Sequence, residues 1–261
     1  MCTATYLPFG PNGFILTHSR DEKAIRPAAH PPGTVNIGET EVTFPQDPQG
    51  QGTWIASGHR TGSFVQTAVC LLNGGFVSHL PQPPYRHSRG LVPLHFFTYP
   101  SIDAFVTTYD FSGIEPFTLL IVEAGGQMGR RLVELRWNGN RLFMREKDPE
   151  QPNIWSSVTL YSPDVIWKRE GWFWEWCYHN PNPHVDDIRH FHQSAGSGDT
   201  ENGLLMNRQD ALLTVSLTSI VHQDEDVARK ADCRANLPMI YEDFSQNPFS
   251  QQIISQSYAT A

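Results

Sequence analysis

Cys2 stands directly behind the initiator methionine. Once Met1 is removed, one residue carries both a thiol and a free α-amino group. A thiol ionises near pH ~8.5 and an α-amine near ~7.7–8.0, so at neutral pH part of the amine is unprotonated and can take the thiol proton. That is a nucleophile with its own base. A small apolar residue beginning an edge strand fits the same letter. Close behind, His18-Ser19-Arg20-Asp21-Glu22 sets a base, a hydroxyl, a guanidinium and two carboxylates side by side. In a strand, alternation puts His18, Arg20 and Glu22 on one side and Ser19 and Asp21 on the other. Asp21 can then accept a hydrogen bond from the protonated terminal amine while Arg20 holds a carboxylate or a substrate anion. A solvated strand end with local ion pairs is the plainer reading.

Asn73 closes the apolar run Leu71-Leu72 and is followed by Gly74-Gly75. Its amide NH could serve an oxyanion, with the glycines letting backbone N–H groups approach the same point. A turn after a buried strand explains these letters equally well. A second centre is the aromatic stretch 171–178, with Trp172, Trp174, Trp176 and Cys177, followed by His179, His184, His190 and His192. Imidazoles and flat apolar walls suit haem, although three tryptophans in one helix also describe a core or an interface. His190 and His192 are two apart, so a helix does not bring them to one face as zinc ligands.

The elements that must position these groups follow from hydrophobic period and turn chemistry. Strands are expected over 4–7, 13–17, 53–57 and 63–72, with a Pro/Gly-rich loop over 26–33. Helices are expected over 88–99 and 101–109, the second with Ser101 as N-cap. Strands return over 117–123 and 129–137, and Asn138-Gly139 predicts a hairpin into 141–145. Ser162-Pro163-Asp164 starts a helix over 165–178. A short helix over 185–193, a polar loop, a strand over 211–222 and a ragged tail complete the chain. This order predicts an α+β domain of sheets covered by helices, with residues 1–261 as a single domain.

Bulk properties exclude several classes. With 19 Lys and Arg against 27 Asp and Glu, the net charge of −8 offers no footprint for nucleic acid or an anionic membrane. No apolar run approaches the roughly 20 residues of a membrane-spanning helix. The N-terminus lacks a basic start and an apolar h-region, so a cytoplasmic location is expected. Cys2, Cys70, Cys177 and Cys233 show no C-x-x-C spacing, and neither a disulfide framework nor a metal site is expected.

Taken in order, Met1-Cys2-Thr3, residues 14–22 with Arg26-Pro27, the run Gly52-Thr53-Trp54-Ile55-Ala56, Leu71-Leu72-Asn73, residues 88–92 and Phe117-Thr118-Leu119-Leu120 resemble the NRDE family, the transport and Golgi organisation protein 2 homologues. The resemblance implies a four-layer αββα sandwich of the N-terminal-nucleophile hydrolase type, similar to choloylglycine hydrolase and penicillin V acylase. It implies cleavage of a small acyl amide through a Cys2 thioester, with Asp21 orienting the amine, Asn73 as oxyanion donor, Arg20 as supporting charge, and His18, Trp54 and Gly74 about the substrate. No cofactor is implied. The alternative it carries is a haem or acyl-lipid trafficking protein using the same cleft without catalysis. Three features depart from the pattern. Ser19 stands where the family has its name-giving asparagine, Ser157 falls where a second amide is expected, and no arginine lies among residues 214–220.

Overall fold

The computed structural model describes residues 2–125, 129–223 and 239–244. Met1, Cys233 and most of the tail expected after His222 lie outside them. Two antiparallel sheets organise the chain. It begins with the hairpin β1 (Cys2–Phe9) and β2 (Gly13–Lys23). A meander then builds the second sheet in sequence order: β3 (His30–Ile37), β4 (Thr40–Gln46), β5 (Ile55–Arg60), β6 (Gln66–Asn73), β7 (Phe117–Ala124), β8 (Arg130–Trp137) and β9 (Leu142–Lys147). Helices α1 (Val92–Phe96) and α2 (Ile102–Thr108) lie between β6 and β7. The chain returns to the first sheet with β10 (Asn153–Ser156), passes through α3 (Pro163–His179) and α4 (Val185–Ser194), and ends with β11 (Asn207–Arg208), β12 (Leu212–His222) and β13 (Met239–Asp243). The first sheet has the order β10-β1-β2-β12-β11, with β13 also paired to β12.

The apolar runs of the central strands reflect burial on both faces. In β6, Cys70 and Leu72 join Ala4, Tyr6, Phe14 and Leu16 in a cluster shared by the two sheets. The alternate residues Val69 and Leu71 pack with Val92 and Phe96 of α1 and Ile102 and Phe105 of α2. On the other side, Leu7 and Ile15 meet Phe173 of α3 and Ile188 and Phe191 of α4. The chain is therefore an α+β fold in which helices cover the outer faces of two stacked sheets.

Several sequence expectations are revised. The 26–33 loop gives way at His30 to β3, which spans Pro31-Pro32; it is an edge strand, where a missing N–H removes no ladder bond, and its register slips between His30 and Gly33. The helix expected over 88–99 contracts to a 3-10 turn at Arg89–Leu91 followed by α1. Gly90 is the cause. A Cβ on Gly52 would lie 2.3 Å from the Gly90 carbonyl carbon, and the Gly90 carbonyl accepts from Thr53 N–H at 2.8 Å, so this backbone is committed to the neighbouring loop. The α2 cap behaves as its sequence suggests, with Ser101 Oγ accepting from Ala104 N–H at 3.1 Å. Ser162 occupies the N-cap position of α3 without a side-chain cap bond. In the hairpin before β9, Asn138 Oδ1 accepts from the N–H groups of Asn140 and Arg141.

Candidate active site

Cys2 is the first residue of β1 and lies opposite Arg20 of β2, in a row continued by Ser216 of β12. Its side chain belongs to the cluster between the sheets. There the β4–β5 connection and the Arg89-Gly90 turn leave a cleft of about 230 Å³, whose walls include Cys2, Arg20, Trp54, Asn73 and Arg89. This is just below the usual range of small-molecule sites, roughly 300–1,000 Å³. Arg20 stacks on Trp54, its guanidinium carbon 4.3 Å from the ring centroid. Its charge is shared with Glu22 at 3.4 Å and Asp47 at 3.9 Å, and Asp47 is also bound by Arg26. Arg89 pairs with Glu115 at 3.1 Å. The cleft is thus a polar space held by paired charges rather than a bare cationic funnel.

Ser157 ties the nucleophile strand to Asn73. Its N–H donates to the Cys2 carbonyl at 2.9 Å, and its Oγ donates to the Asn73 carbonyl at 2.8 Å. Ser157 thus supplies a hydroxyl that fixes backbone. Burial pushes the Cys2 thiol above its ordinary value; Asp21 acts in the same direction and Arg20 against it. A thiol so placed needs a base close by to become a thiolate.

Asp21 lies on the opposite face of β2, toward the helices, and is buried. Oδ1 accepts from Thr214 at 2.7 Å and Oδ2 from the Tyr161 hydroxyl at 2.5 Å. Burial raises its carboxyl, and the charge of Arg169, the Tyr161 bond and the Thr214 bond pull it down. Arg169, on α3, is fully buried. It donates to Thr3 Oγ1 at 2.5 Å and to the carbonyls of Asn202 and Gly203, and stands 3.6 Å over the Tyr161 ring. Next to this group, His192 of α4 bridges β1 and β2, with Nε2 2.8 Å from Thr5 Oγ1 and Nδ1 2.7 Å from Ser19 Oγ. Both partners are hydroxyls, which can donate to or accept from either ring nitrogen. Burial, with Arg169 and Arg189 nearby, lowers its pKa to about 3.

The structure brings Cys2, Arg20, Trp54 and Asn73, from four different segments of the chain, onto one cleft and sets Asp21 next to Arg20 on the opposite face of β2. It does not bring His18 or Gly74 there. His18 is sealed between the sheets, with neither nitrogen in a hydrogen bond of normal geometry although its ring approaches the Leu71 backbone, and burial holds its pKa well below 6.5. Gly74 (φ +87°) donates its N–H to Pro116 at 3.0 Å, and a Cβ there would lie 2.6 Å from Val158 Cγ2. Its role is close packing, and its N–H is not offered to an oxyanion. Ser19 also points away from the cleft, so a serine there removes no donor from it.

Tyr161, Thr214 and Arg169, which hold Asp21, were not singled out in the sequence. Thr214 pairs with Asp21 across β2 and β12, but no local pattern marks that register. Among the aromatic and histidine residues of α3 and α4, both nitrogens of His192 are engaged, while Trp167, Trp174 and Tyr178 face solvent. Among the described residues no group of three or more His, Cys, Asp or Glu is placed to hold a metal ion. No protein-family model matches the sequence, and no curated protein matches it significantly.

Proposed function

We propose that the protein is an N-terminal-cysteine amidohydrolase of the αββα type, acting on a small acyl amide. The observation that carries this reading is the placement of Cys2 at the start of β1, on a cleft it shares with Asn73 and Arg20, with buried Asp21 next to Arg20 on the far face of the paired strand. In the chain that retains Met1, the nitrogen of Cys2 is an amide and cannot act as a base, while burial disfavours the thiolate. Excision of Met1 turns that nitrogen into an amine at the strand end, where Asp21 can orient its ammonium form. The amine takes the thiol proton as sulfur attacks the acyl carbon. The Asn73 amide NH₂ stabilises the oxyanion. Collapse breaks the C–N bond, passes the proton to the departing amine and leaves a Cys2 thioester; water, deprotonated by the same amine, then attacks the acyl carbon, and C–S cleavage releases the acid as the proton returns to the Cys2 sulfur.

The test compares two versions of the full chain, one produced with Cys2 as its first residue and one in which Met1 is retained, on p-nitroanilides of short-chain acids. Turnover is expected only from the first, and Cys2→Ala should abolish it. Equal turnover by the two versions would sink the mechanism. Asp21→Asn should lower kcat and move the acid limb of the pH profile, because an amine without its carboxylate loses its proton at lower pH.

A further inference from the structure

A second cavity lies across a thin partition from Cys2. Leu71 and Asn73 line the Cys2 cleft while Leu72 lines the second space; Ser156 and Val158 also face the second space, with Ser157 between them bonded to Cys2 and Asn73. The cavity measures about 270 Å³ and opens where β10 and β9 end their respective sheets. Its charged side chains come mainly from one face of β8 and β9: Glu134 pairs in register with Arg145, and Leu132 with Lys147, so the side chains of Arg136, Arg145 and Lys147 share that face. Together with Glu134 and with Glu170 of α3 they give three cations against two carboxylates.

The distribution of partners matters more than the count. Glu134 is committed: it takes the Arg136 fork at 3.0 and 3.1 Å and the Trp155 N–H at 2.6 Å. These bonds hold it ionised despite burial, with Lys147 adding to the effect. No ion pair among the described residues includes Arg145 or Lys147. Two cations outside any ion pair therefore face a concave space whose remaining wall includes Trp155, Leu72 and Ile166. We propose that this cavity binds a small organic anion, its carboxylate or phosphate head on Arg145 and Lys147 and its apolar body against Trp155. Guanidinium and ammonium groups are the partners such heads take, and an apolar wall favours a body that water does not.

Binding needs no turnover, so the experiment uses the full chain carrying Cys2→Ala, and its outcome is separable from the hydrolysis proposed above. Hexanoate, hexyl phosphate and hexylamine, which differ only in the head group, are titrated calorimetrically at low ionic strength, where charge pairing is least screened. Saturable binding of one or both anions at a single site is expected, with hexylamine silent; the two anions decide between a carboxylate and a phosphate head. The pair Arg145→Gln and Lys147→Gln should weaken binding at least about tenfold, Glu170→Gln should strengthen it several-fold, and Arg26→Gln in the Cys2 cleft should leave it unchanged. Failure of both anions to bind, equal binding of hexylamine, or loss of binding in Arg26→Gln with none in the Arg145/Lys147 variant would overturn the assignment.

Discussion

The two faces of the β1–β2 pair are built on opposite plans. Toward the helices, Thr3, Thr5, Ser19 and Asp21 are all hydrogen-bonded, to Arg169, His192, Tyr161 and Thr214. Toward the second sheet, the same strands present Cys2 and His18, and the row continues into Ser216 and Thr218 of β12. There both His18 nitrogens, Ser216 Oγ, Thr218 Oγ1 and the facing Trp54 Nε1 are buried without a protein hydrogen bond of normal geometry. Buried polar groups are normally satisfied, because leaving one unpaired costs about 1–3 kcal/mol. A pair of strands saturated on one side and unsatisfied on the other separates scaffold from site: the helix side fixes the backbone of Cys2, and of the unsatisfied residues on the other side Trp54 lines the cleft while His18, Ser216 and Thr218 stay buried off it.

That contrast can be broken from the helix side. Arg169→Met removes the charge facing buried Asp21 and should cost about 3–5 kcal/mol, read from urea unfolding; a cost below about 1 kcal/mol would mean that the frame does not depend on it. Acid should act next. His192 binds its proton near 3 when folded and near ~6.5 when unfolded. Between these values the unfolded chain holds more protons, so stability is complete above about pH 6.5 and falls with acidification, by about 3 kcal/mol at pH 4 from this residue alone. Buried His18 acts in the same sense, whereas the raised carboxyl of Asp21 opposes it. His192→Asn should flatten the slope of stability against pH. Ser19→Ala leaves one His192 nitrogen unpaired and should cost about 1–2 kcal/mol. On the cleft side, Cys2→Ala should change stability by about 1 kcal/mol or less while removing all turnover. If Ser19→Ala and Cys2→Ala exchanged these signatures, the assignment of the two faces would be reversed.

Much of this was legible in the letters. The alternation that places Ser19 and Asp21 opposite His18 and Arg20 is a property of any strand, and the strands from β5 to β9 announce themselves by apolar runs and by Asn138-Gly139. The exposed edge strand β3 was not legible, because two prolines and a bulge imitate a loop. β4, β10, β11 and β13 also lie outside the expected strands, the last three being too short or too polar for a period to register. For the site, Cys2, Arg20, Trp54 and Asn73 could be named because each sits in a local motif. The partners of Asp21 come from residues 161, 169 and 214, which only tertiary packing brings together. His18 and Gly74 carried the right chemistry in the right neighbourhood, but burial between the sheets and a bond to Pro116 withdraw them from the cleft.

In the proposed mechanism Cys2, with its own amine freed, forms a covalent acyl intermediate. Intact-mass measurement of the purified full chain, acid-quenched during turnover of a short-chain p-nitroanilide, tests it most directly. The expected result is a chain lacking Met1 and bearing one acyl group that maps to Cys2 and is released by hydroxylamine, with no adduct on Cys2→Ala. A chain that retains Met1 while turning over substrate, or an adduct that persists on Cys2→Ala, would contradict it.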